Sequence, residues 1–86
     1  MNSHTTRSFR EAFKALPPDV QRRARRAYRL WRGNPDLPGL RFKRVGDEVS
    51  VRIGRDHRAL GILQGDTVYW YWIGKHDEYE RLLKQV

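Results

Sequence analysis

The chain contains no cysteine. Without thiols there is no disulfide framework, no thiolate metal site and no cysteine nucleophile. Long apolar runs are also missing. No stretch approaches the ~18 residues that a membrane span requires. The first seven residues, Met1-Asn2-Ser3-His4-Thr5-Thr6-Arg7, lack the apolar core of a leader peptide. These absences predict a soluble, cytoplasmic protein with no membrane partner. Acidic residues are in short supply too: ten Asp and Glu face eighteen Lys and Arg, a net charge of +8. The seven glycines are scattered roughly one per turn, so no phosphate-cradling glycine loop is present. His4, His57 and His76 have no metal-ligand spacing, and without cysteine neither a zinc site nor any other metal or cofactor is expected. Ser3, Ser8 and Ser50 stand in no context that would make a nucleophile.

What remains fits one small domain covering residues 1–86. A chain of this length buries only about 60% of its surface on folding. Three Trp, four Tyr and three Phe supply the bulk for a single core. Fourteen of the eighteen basic residues are Arg, whose planar guanidinium favours bidentate contact with phosphate or carboxylate. A polyanion or an acidic protein is therefore the expected partner.

Phe9, Phe13 and Leu16 recur at helical spacing and predict a first helix from about Ser8, stopped by Pro17-Pro18. Pro18-Asp19 opens a second helix, with a carboxylate in the first turn to suit its dipole. Along it Val20, Ala24, Ala27 and Trp31 form one apolar stripe, while Arg22, Arg25, Arg26, Arg29 and Arg32 occupy the opposite half, with Arg23 flanking. Gly33-Asn34-Pro35 ends it. That arginine face suits nucleic acid, an acidic partner, or plain solvation. Four short strands follow, Leu40 to Val45, Val49 to Ile53, Arg58 to Leu63 and Val68 to Ile73, separated by glycine-bearing turns short enough for hairpins. In the second of these, Val49, Val51 and Ile53 share a face and Ser50 and Arg52 the other. The last strand is β-branched or aromatic throughout, as befits a central strand covered on both sides or one that binds something flat. Just beyond Gly74 come Lys75-His76-Asp77-Glu78-Tyr79, and Asp77 with Glu80 forms a capping-box pattern for a short helix ending near Lys84. The predicted class is α+β: a helical hairpin packed on an antiparallel four-stranded sheet, with a short C-terminal helix.

The residues able to do chemistry are Lys43, Arg52, His57, Arg58, His76 and Tyr79, with Lys75 beside them and Trp70 and Trp72 as possible stacking platforms for a base. This set can cleave RNA without a metal, because RNA carries its own nucleophile. The protein need only take the 2′-hydroxyl proton, stabilise the charged phosphorane and protonate the leaving 5′-oxygen. Arg suits the second task; His or Tyr suits the first and third.

The runs Leu16-Pro17-Pro18, Tyr28-Arg29-Leu30-Trp31, Leu40-Arg41-Phe42-Lys43, Val51-Arg52-Ile53, His57-Arg58-Ala59-Leu60-Gly61 and Trp72-Ile73-Gly74-Lys75-His76-Asp77-Glu78-Tyr79 together resemble the RelE/ParE superfamily, toxins of bacterial type II toxin–antitoxin systems. The resemblance covers roughly residues 8 to 84. It implies the same helical hairpin on a small sheet and a cognate antitoxin as partner. It also implies one of two activities: metal-independent cleavage of mRNA on the ribosome, as in RelE-like members, or poisoning of DNA gyrase, as in ParE-like members. A non-catalytic basic module that binds RNA or protein is a third possibility on composition. Carried onto this chain, the nuclease pattern makes Arg58 the central-strand arginine, Arg52 the basic residue of the preceding strand, and His76 and Tyr79 the C-terminal pair. Lys43, His57, Lys75, Trp70 and Trp72 would bind substrate. Two departures stand out. RelE-like toxins usually offer two lysines where Ser50 and Arg52 occur here, and many relatives begin with an edge strand where this chain has only polar residues.

Overall fold

The fold was obtained as a computed structural model describing residues 1–84; the side chains of residues 79 and 82–84 lie outside that description. The chain runs β1 (Asn2–Thr5), α1 (Arg7–Lys14), α2 (Pro18–Gly33), a single 3-10 turn at Pro38–Leu40, β2 (Lys43–Val45), β3 (Glu48–Ile53), β4 (His57–Gln64), β5 (Thr67–Lys75) and α3 (His76–Lys84). One sheet in the order β1-β5-β4-β3-β2 carries everything else. All neighbouring strands are antiparallel except β1, which lies parallel to β5.

The helical hairpin forms as its spacing predicts. Thr6 caps α1 by accepting from the Phe9 amide at 3.3 Å, and its hydroxyl donates to the Trp70 carbonyl at 2.9 Å. Both bonds fix where the helix leaves the sheet. The Pro17-Pro18 corner leaves the last carbonyls of α1 without helical partners. Gln21 reaches into this corner, its Nε2 donating to Phe13 O at 3.2 Å near the end of α1 and to Leu16 O at 3.1 Å just beyond it. Val20, Ala24, Ala27 and Trp31 are the buried stripe of α2, as the period of the sequence indicates. The small alanines let α2 approach the sheet, and Trp31, 1% exposed, fills the space beyond them. Its ring meets Trp70 edge-on at 5.3 Å and Phe42 at 5.9 Å.

Cross-strand partners share a face. Val51, Ala59 and Ile73 form one row, and Val49, Gly61 and Trp70 another, both on the face that α1 and α2 cover. At Gly61 a β-carbon would stand 2.7 Å from Val68 Cγ1 and 3.0 Å from Trp70 Cε3, so glycine is what allows Trp70 to lie flat on the sheet. The opposite face carries Lys43-Ser50-Leu60-Trp72 in one row and Arg52-Arg58-Gly74 in the next.

Three expectations change. The sheet has five strands, because the polar segment Asn2–Thr5 does pair. Its ends are held by Asn2 N donating to Asp66 O (2.8 Å) and Thr6 N to Trp70 O (2.9 Å), and Trp70 Nε1 donates to Ser3 Oγ at 3.0 Å. An edge strand buries little, so polarity does not forbid it and protects the edge from further pairing. The strand expected over Leu40 to Val45 shrinks to Lys43–Val45. Leu40 is drawn into the core instead, and Arg41 then takes a left-handed conformation (φ 45°), which breaks the extended backbone. The capping box at Asp77 does not form as such, since α3 begins one residue earlier. His76 N is satisfied by Asp56 O at 2.7 Å, and Asp77 and Glu78 sit in the first turn, favourably placed for the dipole.

Trp31→Ala should cost about 3–5 kcal/mol, the range for removing a fully buried large aromatic side chain. Urea denaturation followed by far-UV circular dichroism measures it; an unchanged midpoint would show that the core is not built around this ring.

Candidate functional site

The face of the sheet away from α1 and α2 carries several of the candidate residues. Arg58, the second residue of the central strand β4, is only 8% exposed. Nothing in the local sequence marks it as buried, but in the structure it is. Taking a guanidinium out of water is expensive, so its position is one of the strongest constraints on the molecule. Its direct cross-strand neighbours are Arg52 and Gly74. Opposite Arg58, the missing side chain of Gly74 is replaced by the Trp72 indole, which folds back along its own strand. A β-carbon at Gly74 would lie 2.6 Å from Trp72 Cζ2. Ser50 and Leu60 complete a buried floor in the adjoining row, with Lys43 exposed at its edge.

A register shift between Leu60 and Gly61 sets the rest. Leu60 pairs with Trp72 and Gly61 with Trp70, so Tyr71 is the extra residue of a β-bulge. Strict alternation would put Trp72 on the helix side with Trp70 and turn Ile73 away from it; the bulge keeps both Trp70 and Ile73 in the core and Trp72 on the far face. The Tyr71 hydroxyl is hydrogen-bonded to Glu48. Among the described residues Glu48 is the one carboxylate carried by a strand. The sequence reading overlooked both residues. An aromatic run with no alternation signals a bulge somewhere, but not its position.

The predicted site residues divide. Arg58, Arg52, Lys43 and Trp72 share the far face by register. His76 lies two residues past Gly74 at the start of α3, half exposed, its Nδ1 3.5 Å from Glu80 Oε1. Tyr79 is in the same helix, but its side chain is outside the described part. His57 and Lys75 pair with each other and, through Ile53, belong to the helix-covered face at the strand ends, so they do not join Arg58. Trp70 is 3% exposed and packed against Trp31, which leaves it no surface on which to stack a base. Arg52 is turned aside: its Nε donates to Gly54 O at 2.9 Å.

A second feature lies on the helix side. Between α1, α2 and the sheet is an open cavity of about 580 Å³ with an apolar floor that includes Phe9, Phe13, Val51 and Ile73. Arg10, Lys14, Arg25 and Arg29 stand among its lining residues, and the Arg25 guanidinium lies 5.1 Å over the Phe13 ring.

The helical hairpin on one face of a five-stranded sheet is the RelE-like fold. The structure superposes on the RelB–RelE antitoxin–toxin complex from Methanococcus jannaschii with a TM-score of 0.71, at 15% identity, over 91% of this chain and 95% of that one. YafQ from Escherichia coli gives 0.72 at 9% identity over 91% and 96%. The RelBE2 toxin–antitoxin complex from Mycobacterium tuberculosis gives 0.65 at 20% identity over 87% and 96%. Residues 18–81 match the ParE-like toxin domain family, and the chain belongs to that family. Comparison with curated protein sequences finds no match.

Gly74→Ala tests the Trp72–Arg58 arrangement directly, because the added methyl and the indole cannot both keep their places. Of the three indole N–H signals in an NMR spectrum, that of Trp72 should shift strongly while those of Trp31 and Trp70 move little. Three unmoved signals would show that the ring is not seated over Gly74.

Proposed function

We propose that the protein is the toxin of a type II toxin–antitoxin system and acts in the cytoplasm as a metal-independent endoribonuclease on ribosome-bound mRNA. The observation that carries this reading is the buried Arg58 on the central strand, on the sheet face away from α1 and α2, with Trp72 packed over the neighbouring Gly74. Fixed positive charge in a partly dehydrated setting is what a phosphorane needs. In the reaction the 2′-hydroxyl oxygen attacks the adjacent phosphorus and loses its proton to a base. The bond to the 5′-oxygen breaks, that oxygen takes a proton from an acid, and a 2′,3′-cyclic phosphate remains. Arg58 is assigned to the equatorial oxygens, Lys43 to a flanking phosphate, and Trp72 to stacking. His76 and Tyr79, at the start of α3, are assigned to the two proton transfers. His57 and Lys75, at the strand ends of the helix-covered face, and the buried Trp70 are left out of this assignment.

The second reading, a gyrase poison, draws support from the ParE-like family model. Induction in cells separates the two. Cut mRNA with 2′,3′-cyclic ends and a rapid stop in translation agrees with the first. Double-strand DNA breaks with intact mRNA would replace it with the second.

The partner antitoxin is assigned to the helix-side cavity. An apolar floor bordered by arginine and lysine suits an acidic amphipathic helix, and charge of this kind speeds association and makes it salt-sensitive. Phe13→Asp should abolish complex formation with the product of the adjacent reading frame and leave mRNA cleavage by the free toxin within a few-fold of the parent. Size-exclusion chromatography of the co-expressed pair measures the first effect. A stable complex would move the antitoxin elsewhere.

Because Arg58 is buried, alanine there would disturb folding as well as chemistry, and lysine is the cleaner variant. Arg58→Lys keeps the charge but loses the guanidinium fork. Cleavage by the folded variant should fall on the order of 10²-fold, near the loss for one oxyanion donor. A folded Arg58→Lys protein that cuts ribosome-bound mRNA at the parent rate removes Arg58 from the reaction.

A further inference from the structure

β2 pairs with Glu48 to Ser50, so beyond Ser50 the outer edge of β3 has no partner strand among the described residues. Against this open edge lies a groove of about 440 Å³. Arg23, Arg26 and Leu30 of α2 line one side, Leu37 and Pro38 another, and Arg52 and Gly54 the end of β3. Three guanidinium-bearing residues thus border one groove, and among the described residues no carboxylate lines it. The backbone is shaped to allow this. Gly54 takes φ +63°, and Arg23 Cδ passes 3.4 Å from where a β-carbon would stand, so its bare backbone is the surface over which Arg23 runs. Gly54 also supplies the carbonyl that holds Arg52 Nε at 2.9 Å. That bond draws Arg52 from the row it shares with Arg58 toward the strand edge. Among the described residues the one acidic contact made by the three is Asp19, 3.7 Å from Arg23, with both side chains more than half exposed, where ion pairs are weak and screened. Like charges gathered round one groove repel each other, and a bound anion relieves that repulsion.

We infer that this groove binds the phosphate backbone of single-stranded RNA flanking the cleaved bond, with Arg23, Arg26 and Arg52 as phosphate ligands. The inference rests on the nuclease reading above. Arg52 and Arg58 are direct cross-strand neighbours, so a strand whose scissile phosphate lies at Arg58 reaches Arg52 next and then crosses the open β3 edge into the groove. Leu30, 43% exposed, with Leu37 and Pro38 offers an apolar surface for a ribose or base. Arg52 is on this account a binding residue and not a catalytic one. Arg52→Gln should raise KM for RNA several-fold and change kcat less than twofold.

The test uses a fluorescein-labelled 12-nucleotide 2′-O-methyl RNA, which binds but cannot be cut, and fluorescence anisotropy at several KCl concentrations. The groove variant is Arg23→Gln/Arg26→Gln/Arg52→Gln. The control, Arg7→Gln/Arg22→Gln/Arg32→Gln, loses the same charge from surfaces outside the groove. The groove variant should bind at least tenfold more weakly, and the slope of log K against log[KCl] should flatten by about 2, roughly 0.7 for each phosphate contact. The control should weaken less than threefold. If the groove triple does not fold by circular dichroism, Arg23→Gln/Arg26→Gln, both on the helix surface, replaces it. Equal weakening in both triples means net charge alone and overturns the inference. So does unchanged RNA binding with a weakened antitoxin complex, which would give the groove to an acidic protein. If the parent cleaves mRNA and the groove triple binds and cleaves like it, this inference fails and the nuclease reading stands. A parent that neither cleaves mRNA nor binds the RNA removes both.

Discussion

The Trp31 and Trp70 rings meet edge to face, 5.3 Å apart, and each layer of the fold is tied to that contact. Trp31 belongs to α2 and holds the helical hairpin on the sheet. Trp70 belongs to β5, and its indole N–H reaches Ser3 of β1. The first strand, the longest helix and the longest strand are joined at a single aromatic pair. Gly61 makes room for it by leaving no side chain beneath Trp70. In a domain this small, few other contacts are large enough to take that part.

That core uses one side of the sheet and leaves the other to Arg58 and its neighbours. The division is enforced by register, since a slip of one residue would exchange the two faces of a strand. The β-bulge at Tyr71 is the exception that shapes the site. It keeps Trp70 in the core while Trp72 lies over Gly74 and Tyr71 reaches Glu48. The three consecutive aromatics therefore have three different tasks, and only one of them is to hold the fold together.

Positive charge is distributed just as unevenly. Arg58 is buried in the sheet, Arg52 is drawn to the edge of β3, and Arg25 lies over Phe13 at the helix-side cavity. An excess of arginine that composition alone leaves undifferentiated is thus sorted onto three surfaces. Each surface supplies guanidinium groups beside apolar or aromatic carbon, which suits them to ligands with both charged and flat parts.

Local pattern was enough to read the helical hairpin, three of the five strands with little change, the class of the fold and the family resemblance. The stripe Val20-Ala24-Ala27-Trp31 and the prolines at Pro17-Pro18 are governed by contacts within a few residues, and sequence reports such contacts well. Arg58 as a central residue was legible too, on the resemblance. The parallel strand at Asn2–Thr5 was not, because its bonds run to Thr67–Trp70, more than sixty residues away, and none of its own side chains is buried. Nor were the loss of Trp70 to the core, the separation of His57 and Lys75 from Arg58, and the turning of Arg52 to Gly54. Sequence determined which groups the protein possesses and which elements carry them. Tertiary structure decided which face each group occupies, because a bulge, a strand edge and a missing side chain are properties of neighbouring strands and not of the chain that passes through them.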